Sequence, residues 1–182
     1  MSQFHKYFRL CLKDRLRNYF LKAKYRAIHT SASVLWGSKL LRFPENISIG
    51  AGTIVKNNCS ICACNQAARI RVGAGCTIGD YSYIYASGVI EIGDNCLIAP
   101  FAYLVDSDHQ IKLGRLVRDQ ALVTKTIKIG NDVWLGARVT VLAGVEIGDG
   151  AIVAAGSVVR QNIGVNEIWA GVPARKVGER EE

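Results

Sequence analysis

Residues 127–159 read IKIGNDVWLGARVTVLAGVEIGDGAIVAAGSVV, and this stretch decides the fold. Counting forward by six from Ile129 meets an Ile, Leu or Val at every step up to Val165, namely Leu135, Val141, Ile147, Val153 and Val159. The position after each aliphatic is often glycine or alanine. A period of six fits neither an α-helix nor a simple strand, whose side chains repeat about every 3.6 and 2 residues. It indicates a chain that turns a corner every six residues.

The same rhythm occupies the sequence upstream. Aliphatics recur at Val72, Ile78, Ile84 and Ile90 and, after a two-residue slip, at Ile92, Ile98 and Leu104. Three such sides complete a coil of about 18 residues, and stacked coils form a triangular prism with the aliphatics along its axis. We therefore predict an all-β chain, a parallel β-helix over residues 43–182. Cys76 and Cys96 take the fifth position of their repeats, where a small core residue is expected.

One segment breaks the rhythm. Strict repeats stop at Leu104 and resume at Ile127, and residues 106–126 read DSDHQIKLGRLVRDQALVTKT. An insertion between coils has to loop outward from the prism, and such loops often carry function. This loop holds His109, the one histidine of the repeat body.

Residues 1–42 differ in character and predict a basic amphipathic helical segment. Apolar residues recur every three or four positions, at Phe4, Phe8, Leu12, Leu16, Tyr19, Phe20, Ala23 and Ala27. The segment holds ten Lys or Arg and one acid, whereas the remaining 140 residues hold thirteen bases and fourteen acids. This placement argues against a nucleic-acid-binding body. Two interpretations stay open: the helix packs on the body or on a neighbouring subunit, or residues 1–30 contact an anionic inner-membrane surface.

The composition bears on the cellular compartment of the protein and on whether it binds a metal. No apolar run approaches the roughly 18 residues of a membrane span, and charges interrupt the first twenty residues, which is untypical of a signal peptide. We expect a cytoplasmic protein that associates with membrane at most through its N-terminal segment. Cys59, Cys62 and Cys64 form a C-x2-C-x-C cluster, but no second cluster lies at zinc spacing, so we expect no metal.

The sequence resembles the hexapeptide-repeat acyltransferases, particularly galactoside and maltose acetyltransferases, xenobiotic acetyltransferases and the O-acetyltransferases of capsule and O-antigen synthesis. The matching text is IGDNCLIAPFAYLVDSDHQI (92–111), the stretch quoted first, and WAGVPARKV (169–177). The resemblance covers residues 47–178. It implies left-handed coiling, a homotrimer with active sites between prisms, and transfer of an acetyl group from acetyl-CoA to a hydroxyl without a metal.

The resemblance also implies that His109 is the catalytic base. A hydroxyl is a poor nucleophile, and a neutral imidazole with a pKa of about 6.5 can take its proton during attack on a thioester. Asp106 and Asp108 flank this histidine. They are candidates to orient the imidazole or hold the acceptor hydroxyl, and turn-forming residues are the equal alternative.

In relatives the cofactor lies along the prism wall between subunits, which marks several positions here. The small residues that would let the pantetheine arm approach are Gly136, Ala137, Ala155 and Gly156, and Trp134 would line the same groove. The predicted contacts to the phosphates are Arg160, Arg175 and Lys176, because phosphates favour basic side chains.

The acceptor site departs from the galactoside-type pattern. Those enzymes bind the acceptor through an asparagine where this chain has Gly79, with Asp80, Tyr81 and Tyr83 nearby as the predicted acceptor contacts. Tyrosines can stack on sugar faces. We expect an O-acetyltransferase acting on a sugar of a bacterial surface polysaccharide. The alternatives are an acetyltransferase for an antibiotic or a nucleotide-linked amino sugar, and a non-catalytic repeat scaffold.

Overall fold

The computed structural model describes residues 10–25 and 27–181. The body is a left-handed parallel β-helix of about six coils, which confirms the predicted fold. Short strands pair in three parallel sheets, and these sheets are the three faces of a triangular prism. Each face gains one strand per coil because the chain returns to it after passing the other two.

The strands are numbered β1 to β21 in chain order. All except β12 and β13, which form a separate hairpin described below, belong to the three faces as follows. Face 1 contains β1 (Ser33–Val34), β4 (Ile54–Val55), β7 (Thr77–Ile78), β10 (Leu97–Ile98), β15 (Trp134–Leu135), β18 (Ile152–Val153), β20 (Glu167–Gly171) and the antiparallel β21 (Ala174–Glu179). Face 2 contains β2 (Lys39–Arg42), β5 (Ser60–Ala63), β8 (Tyr83–Ala86), β11 (Tyr103–Val105), β16 (Thr140–Val141) and β19 (Val158–Val159). Face 3 contains β3 (Ile47–Ile49), β6 (Arg69–Val72), β9 (Val89–Ile92), β14 (Ile127–Ile129) and β17 (Glu146–Ile147). A short 3-10 helix, Pro44–Asn46, lies between β2 and β3.

The aliphatic repeat forms the core. Both predicted series, from Val72 to Leu104 and from Ile129 to Val159, are buried. Val165 is the exception, since 64% of its surface is exposed and the prediction for it is wrong. The register shifts by two residues after Val159, and the last coil instead turns Ile163 and Trp169 inward, which are again six residues apart.

The buried cysteines are core residues, as their repeat position predicts. The thiols of Cys76 and Cys96 lie 3.1 Å from the carbonyl oxygens of Gly93 and Gly130 on the following coil. Each thiol thus fills a small core position and also donates to the backbone one coil further on.

The prism begins before the predicted boundary between residues 42 and 43. β1 pairs with β4, and β2 pairs with β5 over all four of its residues. The segment 1–42 therefore contains the first two strands of the first coil as well as a helix. The basic, poorly periodic sequence of β2 hides this, since two of its four residues are exposed at the end of the prism.

Helix α1 (Leu12–Lys24) covers the open edge of the first coil with polar side chains. The Asn18 amide accepts from the Val34 N–H at 2.8 Å and donates to the Val34 carbonyl at 3.3 Å. The Asp14 carboxylate accepts from the Trp36 N–H at 2.9 Å. An edge strand presents unpaired backbone groups, and these side chains take the place of a preceding coil.

The interpretation that the apolar face of the helix packs on the body is therefore wrong for most of its members. Leu21 and Tyr25 are partly buried against the core, but Leu12, Leu16, Tyr19 and Phe20 are exposed. Phe4 and Phe8 lie outside the described residues. Among the helices that are described, none has the length and apolarity to cross a membrane.

Three corners join the faces and position the site. The first corner leads from face 1 to face 2 and includes Tyr81, Phe101, Arg138 and Gly156. The second leads from face 2 to face 3, where residues 106–126 leave the prism. The third leads from face 3 to face 1 and includes Gly93, Gly130 and Gly148.

Candidate active site

His109 lies on a β-hairpin that projects from the second corner. The predicted outward loop contains two antiparallel strands, β12 (Ser107–His109) and β13 (Leu122–Thr124), with His109 opposite Leu122, and a 3-10 turn at Val117–Asp119. The His109 side chain is exposed. No other described side chain hydrogen-bonds its imidazole. The hairpin thus presents an accessible imidazole that no other side chain of the described residues orients.

Asp106 anchors the hairpin to the prism and does not reach the site. Its side chain is fully buried, and its two carboxylate oxygens accept the backbone N–H groups of Ser87 and Gly88 at 2.7 and 2.8 Å. Burial raises the pKa of Asp106, and the two backbone bonds oppose that shift. The predicted role in orienting the imidazole or holding the acceptor is wrong for this residue.

Asp108 is exposed and precedes His109 directly on β12. Successive residues of a strand point to opposite sides, so the Asp108 carboxylate and the His109 imidazole diverge. Asp108 cannot orient the imidazole from this position. Its prediction as an acceptor contact stays a prediction.

The predicted cofactor wall lies at the first corner of the last coils. Trp134 is 51% exposed, and Ala155 and Gly156 are exposed beside it on the next coil. A Cβ built at Gly156 meets no atom within 4 Å, so this corner is open to a ligand. Gly136 is different, because it is buried and its Cβ would lie 2.5 Å from the Ala155 nitrogen. Gly136 is needed for coil packing, whatever binds outside, and Ala137 remains half-buried at the corner.

The structure brings Arg175 to the same corner. The Gly171 N–H donates to the Ser157 hydroxyl at 3.0 Å, which joins the closing hairpin β20–β21 to the residue after Gly156. Arg175 pairs with Ala170 on that hairpin and is exposed. A basic side chain therefore stands near this exposed corner, where it could meet a phosphate.

Lys176 and Arg160 are placed elsewhere. The Lys176 ammonium pairs with Glu167 at 2.9 Å and with Glu179. The bond from Lys176, with donors from Trp169 and Gly164, lowers the pKa of Glu167 to about 2. This cluster closes the C-terminal hairpin, so the predicted phosphate role of Lys176 is not supported. Arg160 is exposed but follows β19 at the second corner, one face away from the groove.

The predicted acceptor tyrosines belong to a larger aromatic surface. The Tyr81 and Phe101 rings are stacked with centroids 5.3 Å apart and planes at 6°, and the Arg138 guanidinium lies 5.7 Å from the Phe101 centroid. Tyr83 pairs with Tyr103 on the neighbouring strand of face 2. All four aromatic side chains are exposed. Phe101, Tyr103 and Arg138 were missed in the sequence, although each takes the same outward repeat position as Tyr81 or Tyr83 one or two coils away.

Asp80 contributes to the prism more than to that surface. Its Oδ1 accepts from both the backbone N–H and the side-chain amide of Asn57 at 3.0 Å, which ties two coils together. Since Oδ1 of Asp80 already accepts these two hydrogen bonds, the residue has less capacity to bind the acceptor as predicted.

The cysteine cluster does not form a metal site in the part of the chain described. Cys62 and Cys64 bring their Sγ atoms to 3.5 Å, and Cys59 is separately buried in the core. Burial raises the pKa of the Cys62 thiol to about 11, which opposes the thiolate that metals require. Across residues 10–25 and 27–181, no three His, Cys, Asp or Glu side chains are grouped so as to hold an ion.

The two halves of the predicted site lie at different corners of one prism. Phe101 stands at the first corner and Asp106, the root of the hairpin, at the second. Five residue steps separate them, a distance of about 16 Å at a strand rise of about 3.3 Å per residue. In a single chain, the start of the hairpin that carries His109 and the first corner therefore lie apart.

Two family models match the repeat body. "Bacterial transferase hexapeptide (six repeats)" matches residues 126–161, and "Hexapeptide repeat of succinyl-transferase" matches residues 69–99. The chain therefore carries the hexapeptide repeats of bacterial transferases, in keeping with its resemblance to the hexapeptide-repeat acyltransferases. Both matched stretches lie in the coils that carry the buried aliphatic series.

Relatives and solved structures of the family agree with this assignment. The chain is similar to the galactoside O-acetyltransferase of Escherichia coli (strain K12), at 40% identity over 90 residues, which are 50% of this chain and 44% of the relative. The chain spans about half the length of the curated relatives it matches. A maltose O-acetyltransferase from Clostridium difficile 630 has a TM-score of 0.58 at 28% identity, covering 81% of this chain and 72% of that one.

A third comparison concerns the fold alone. AntD, an N-acyltransferase from Bacillus cereus solved with dTDP and 3-hydroxybutyryl-CoA, has a TM-score of 0.76 at 21% identity. The match covers 91% of this chain and 88% of AntD. The prism of this chain is therefore a known architecture.

Proposed function

We propose that the protein transfers an acetyl group from acetyl-CoA to a hydroxyl of a sugar, in the synthesis of a bacterial surface polysaccharide, with His109 as general base. The observation that carries this proposal is the exposed imidazole on a hairpin of a hexapeptide prism whose first corner is open at Gly156. The open corner ends at Arg175, and an aromatic surface continues from it along the coils.

The chemistry needs one proton transfer in each direction. The imidazole takes the proton of the acceptor hydroxyl as its oxygen attacks the thioester carbonyl carbon. Collapse of the tetrahedral intermediate breaks the C–S bond, and the imidazolium returns the proton to the departing sulfur of CoA. His109 is thus regenerated, and the products are an acetyl ester and CoA with a free thiol.

We propose that the active enzyme is a homotrimer whose sites form between subunits. The hairpin of one subunit would meet the first-corner groove of its neighbour, since one chain separates these parts by a face of the prism. The hairpin tip carries exposed apolar residues, including Ile111 and Leu116, that such a contact would cover. Sedimentation that shows a monomer active with acetyl-CoA would overturn this arrangement.

We further propose that the protein is cytoplasmic and contacts the inner membrane through residues 1–30. A lipid-linked sugar precursor would be presented at that surface, so peripheral binding would place enzyme and acceptor together. The basic excess of the N-terminal segment supports an anionic partner.

The deciding experiment measures release of the CoA thiol from acetyl-CoA in the presence of a panel of acceptors. The panel contains simple glycosides, lipid-linked and polymeric sugars, a nucleotide-linked amino sugar and antibiotic alcohols. His109→Ala should lower turnover by about two to four orders of magnitude. His29→Ala is the matched control, because His29 is also exposed but hydrogen-bonds Ser31 on the first coil.

Each result has a defined meaning. Turnover with sugars that falls in His109→Ala and persists in His29→Ala supports the proposal. Preference for the nucleotide-linked amino sugar or for antibiotics would move the acceptor to a small molecule. A folded protein that binds acetyl-CoA and acetylates nothing in the panel, or that turns over normally without His109, would contradict the mechanism and favour a scaffold.

A further inference from the structure

Helix α1 has two chemically distinct sides. The side toward the prism carries Asp14 and Asn18, whose side chains bond to the backbone of the first coil. The opposite side carries an apolar stripe of Leu12, Leu16, Tyr19 and Phe20. Leu12 and Phe20 expose 73% and 67% of their surface. The prism thus holds the helix by its polar side and leaves the apolar stripe outward.

Basic residues border this stripe on both sides. At about 3.6 residues per turn, Lys13 and Lys24 fall along one edge of the stripe and Arg15 and Lys22 along the other. Asp14 is the one acid among residues 10–25, and it is buried against the first coil. The outward surface of the helix is therefore apolar in the middle and positively charged at both edges.

Trp36 extends the same surface from the helix to the prism. Its ring is 59% exposed, and the Lys13 ammonium lies 6.0 Å from the ring centroid. Its backbone N–H is the group that Asp14 accepts, so the position of Trp36 depends on the helix contact. An exposed tryptophan beside lysines is typical of a surface at the boundary between water and lipid.

We propose that this docking surface, formed by Leu12, Leu16, Tyr19, Phe20 and Trp36 with their flanking bases, lies on an anionic lipid bilayer. The apolar stripe enters the interface, and the bases meet the headgroups. The docking surface gives a location to the membrane contact proposed for residues 1–30 and is independent of acetyl transfer. Since the polar side of the helix stays bound to the first coil, docking leaves the prism intact and sets that end of it against the membrane.

Charge argues for lipid over a second copy of the chain. Outside residues 1–42 the chain holds thirteen bases and fourteen acids, so another copy offers little concentrated negative charge to the four bases of the docking surface. An anionic bilayer offers both the charge and the apolar depth that this surface matches.

The test is co-sedimentation of the full-length protein with vesicles of phosphatidylcholine alone and with about 30% phosphatidylglycerol added. The wild type should bind the anionic vesicles at least about tenfold better than the neutral ones, and about 0.5 M salt should weaken binding. Leu16→Glu with Phe20→Glu should lower binding to the anionic vesicles about tenfold or more. Both side chains are exposed, so folding and the affinity for CoA should stay unchanged.

Val165→Glu is the matched control, because it makes the same kind of chemical change at an apolar residue that is 64% exposed at the opposite end of the prism. Binding that persists in this variant supports the docking surface. A second readout is the tryptophan emission, whose blue shift on anionic vesicles should vanish in Trp36→Phe and persist in Trp134→Phe.

Three outcomes would overturn the proposal. Equal binding of wild type to neutral and anionic vesicles would remove the charge argument, and equal loss in Val165→Glu would show that added negative charge anywhere on the prism weakens binding. If Leu16→Glu with Phe20→Glu instead lowers the oligomer mass without lipid and leaves vesicle binding unchanged, the stripe is a subunit contact. Failure of acetyl transfer alone would leave the vesicle results standing.

Discussion

The first and third corners of the prism perform the same turn with different residues. At the third corner the side-chain oxygens of Asp94, Asn131 and Asp149 each accept a backbone N–H of the preceding coil at 2.7–2.8 Å. At the first corner the corresponding coils present Tyr81, Phe101 and Arg138 outward. Side chains at the third corner hydrogen-bond a neighbouring coil, whereas those of Tyr81, Phe101 and Arg138 at the first corner are exposed.

The backbone makes this difference sharper. The left-handed positions of the third corner hold glycine, Asn or Asp, which tolerate a positive φ. The first corner has φ values of 58° at Tyr81, 63° at Phe101 and 60° at Arg138. Bulky residues in that conformation cost about 1–2 kcal/mol each, and such strain concentrates at functional sites. The two corners thus differ in the backbone strain of their left-handed residues as well as in their side-chain contacts.

The largest expected effect is at the third corner. Gly150 has the same left-handed conformation as Gly156, with a φ of +70°, and a Cβ there would lie 2.1 Å from Oδ1 of Asn166. Gly150→Ala should therefore cost about 2 kcal/mol of unfolding free energy. Gly156→Ala at the first corner meets no atom, and its φ of +73° should cost about 1 kcal/mol. Denaturant unfolding measures both, and equal losses would erase the distinction between the corners.

The next effect concerns binding at the first corner. Arg175→Glu should weaken CoA about tenfold, or about 1.4 kcal/mol, with the thermal midpoint nearly unchanged. Lys39→Glu is the control, since Lys39 is exposed on face 2 of the first coil, far along the prism. Calorimetric titration of CoA compares them. If both variants weaken CoA alike, net charge and not the groove governs affinity.

Phe101→Gly should separate stability from binding. Removing the ring relieves the left-handed strain but loses the stack on Tyr81, so the unfolding free energy should change by less than about 1 kcal/mol. The KM for the acceptor should rise several-fold. Asn95→Gly makes the same backbone change at the third corner and should leave KM unaltered. A loss of stability without any change in KM would make the aromatic surface structural.

The smallest effect is pH-dependent and lies beside the groove. The pKa of Glu167 is lowered to about 2 in the folded chain, mainly by Lys176, so its stabilising contribution is present above its ordinary pKa of 4.5. That contribution should disappear as the pH falls from 4.5 toward 2. The thermal midpoints of wild type and Glu167→Gln should differ at pH 7 and converge near pH 2. A constant difference would show that the ion pair does not matter.

The predictable parts of the molecule are those written as a local repeat. The buried series from Ile129 to Val159, the outward excursion at 106–126 and the small core cysteines follow from a six-residue period, because each coil imposes the same inside and outside positions. Val165 fails because the register shifts by two residues after Val159, which places Ile163 and Trp169 in the core instead.

The candidate site was predictable in its exposed members and not in its connections. His109, Trp134, Gly156 and Arg175 lie where the resemblance places them on the surface. Asp106 and Lys176 are predicted to bind ligands because a sequence shows charge but not the partners of a charged group. In the fold, Asp106 accepts a hydrogen bond from the backbone of Ser87, and Lys176 forms an ion pair with Glu167. The sequence does not reveal Phe101 and Arg138 as part of this surface. They lie 20 and 57 residues from Tyr81 along the chain, and only the stacking of the coils brings them together.

By itself the sequence determined the prism, its axis of aliphatics and the place where the chain leaves it, since all three depend on a period that neighbouring residues can display. Only the tertiary structure decided that α1 turns its polar side to the first coil and its apolar stripe outward. The physical reason is that an uncapped coil edge demands hydrogen bonds, and that demand arises only once distant strands have paired. The difference between the first and third corners also arises only in the tertiary structure, because the stacking of coils decides which side chains hydrogen-bond a neighbouring coil and which stay exposed.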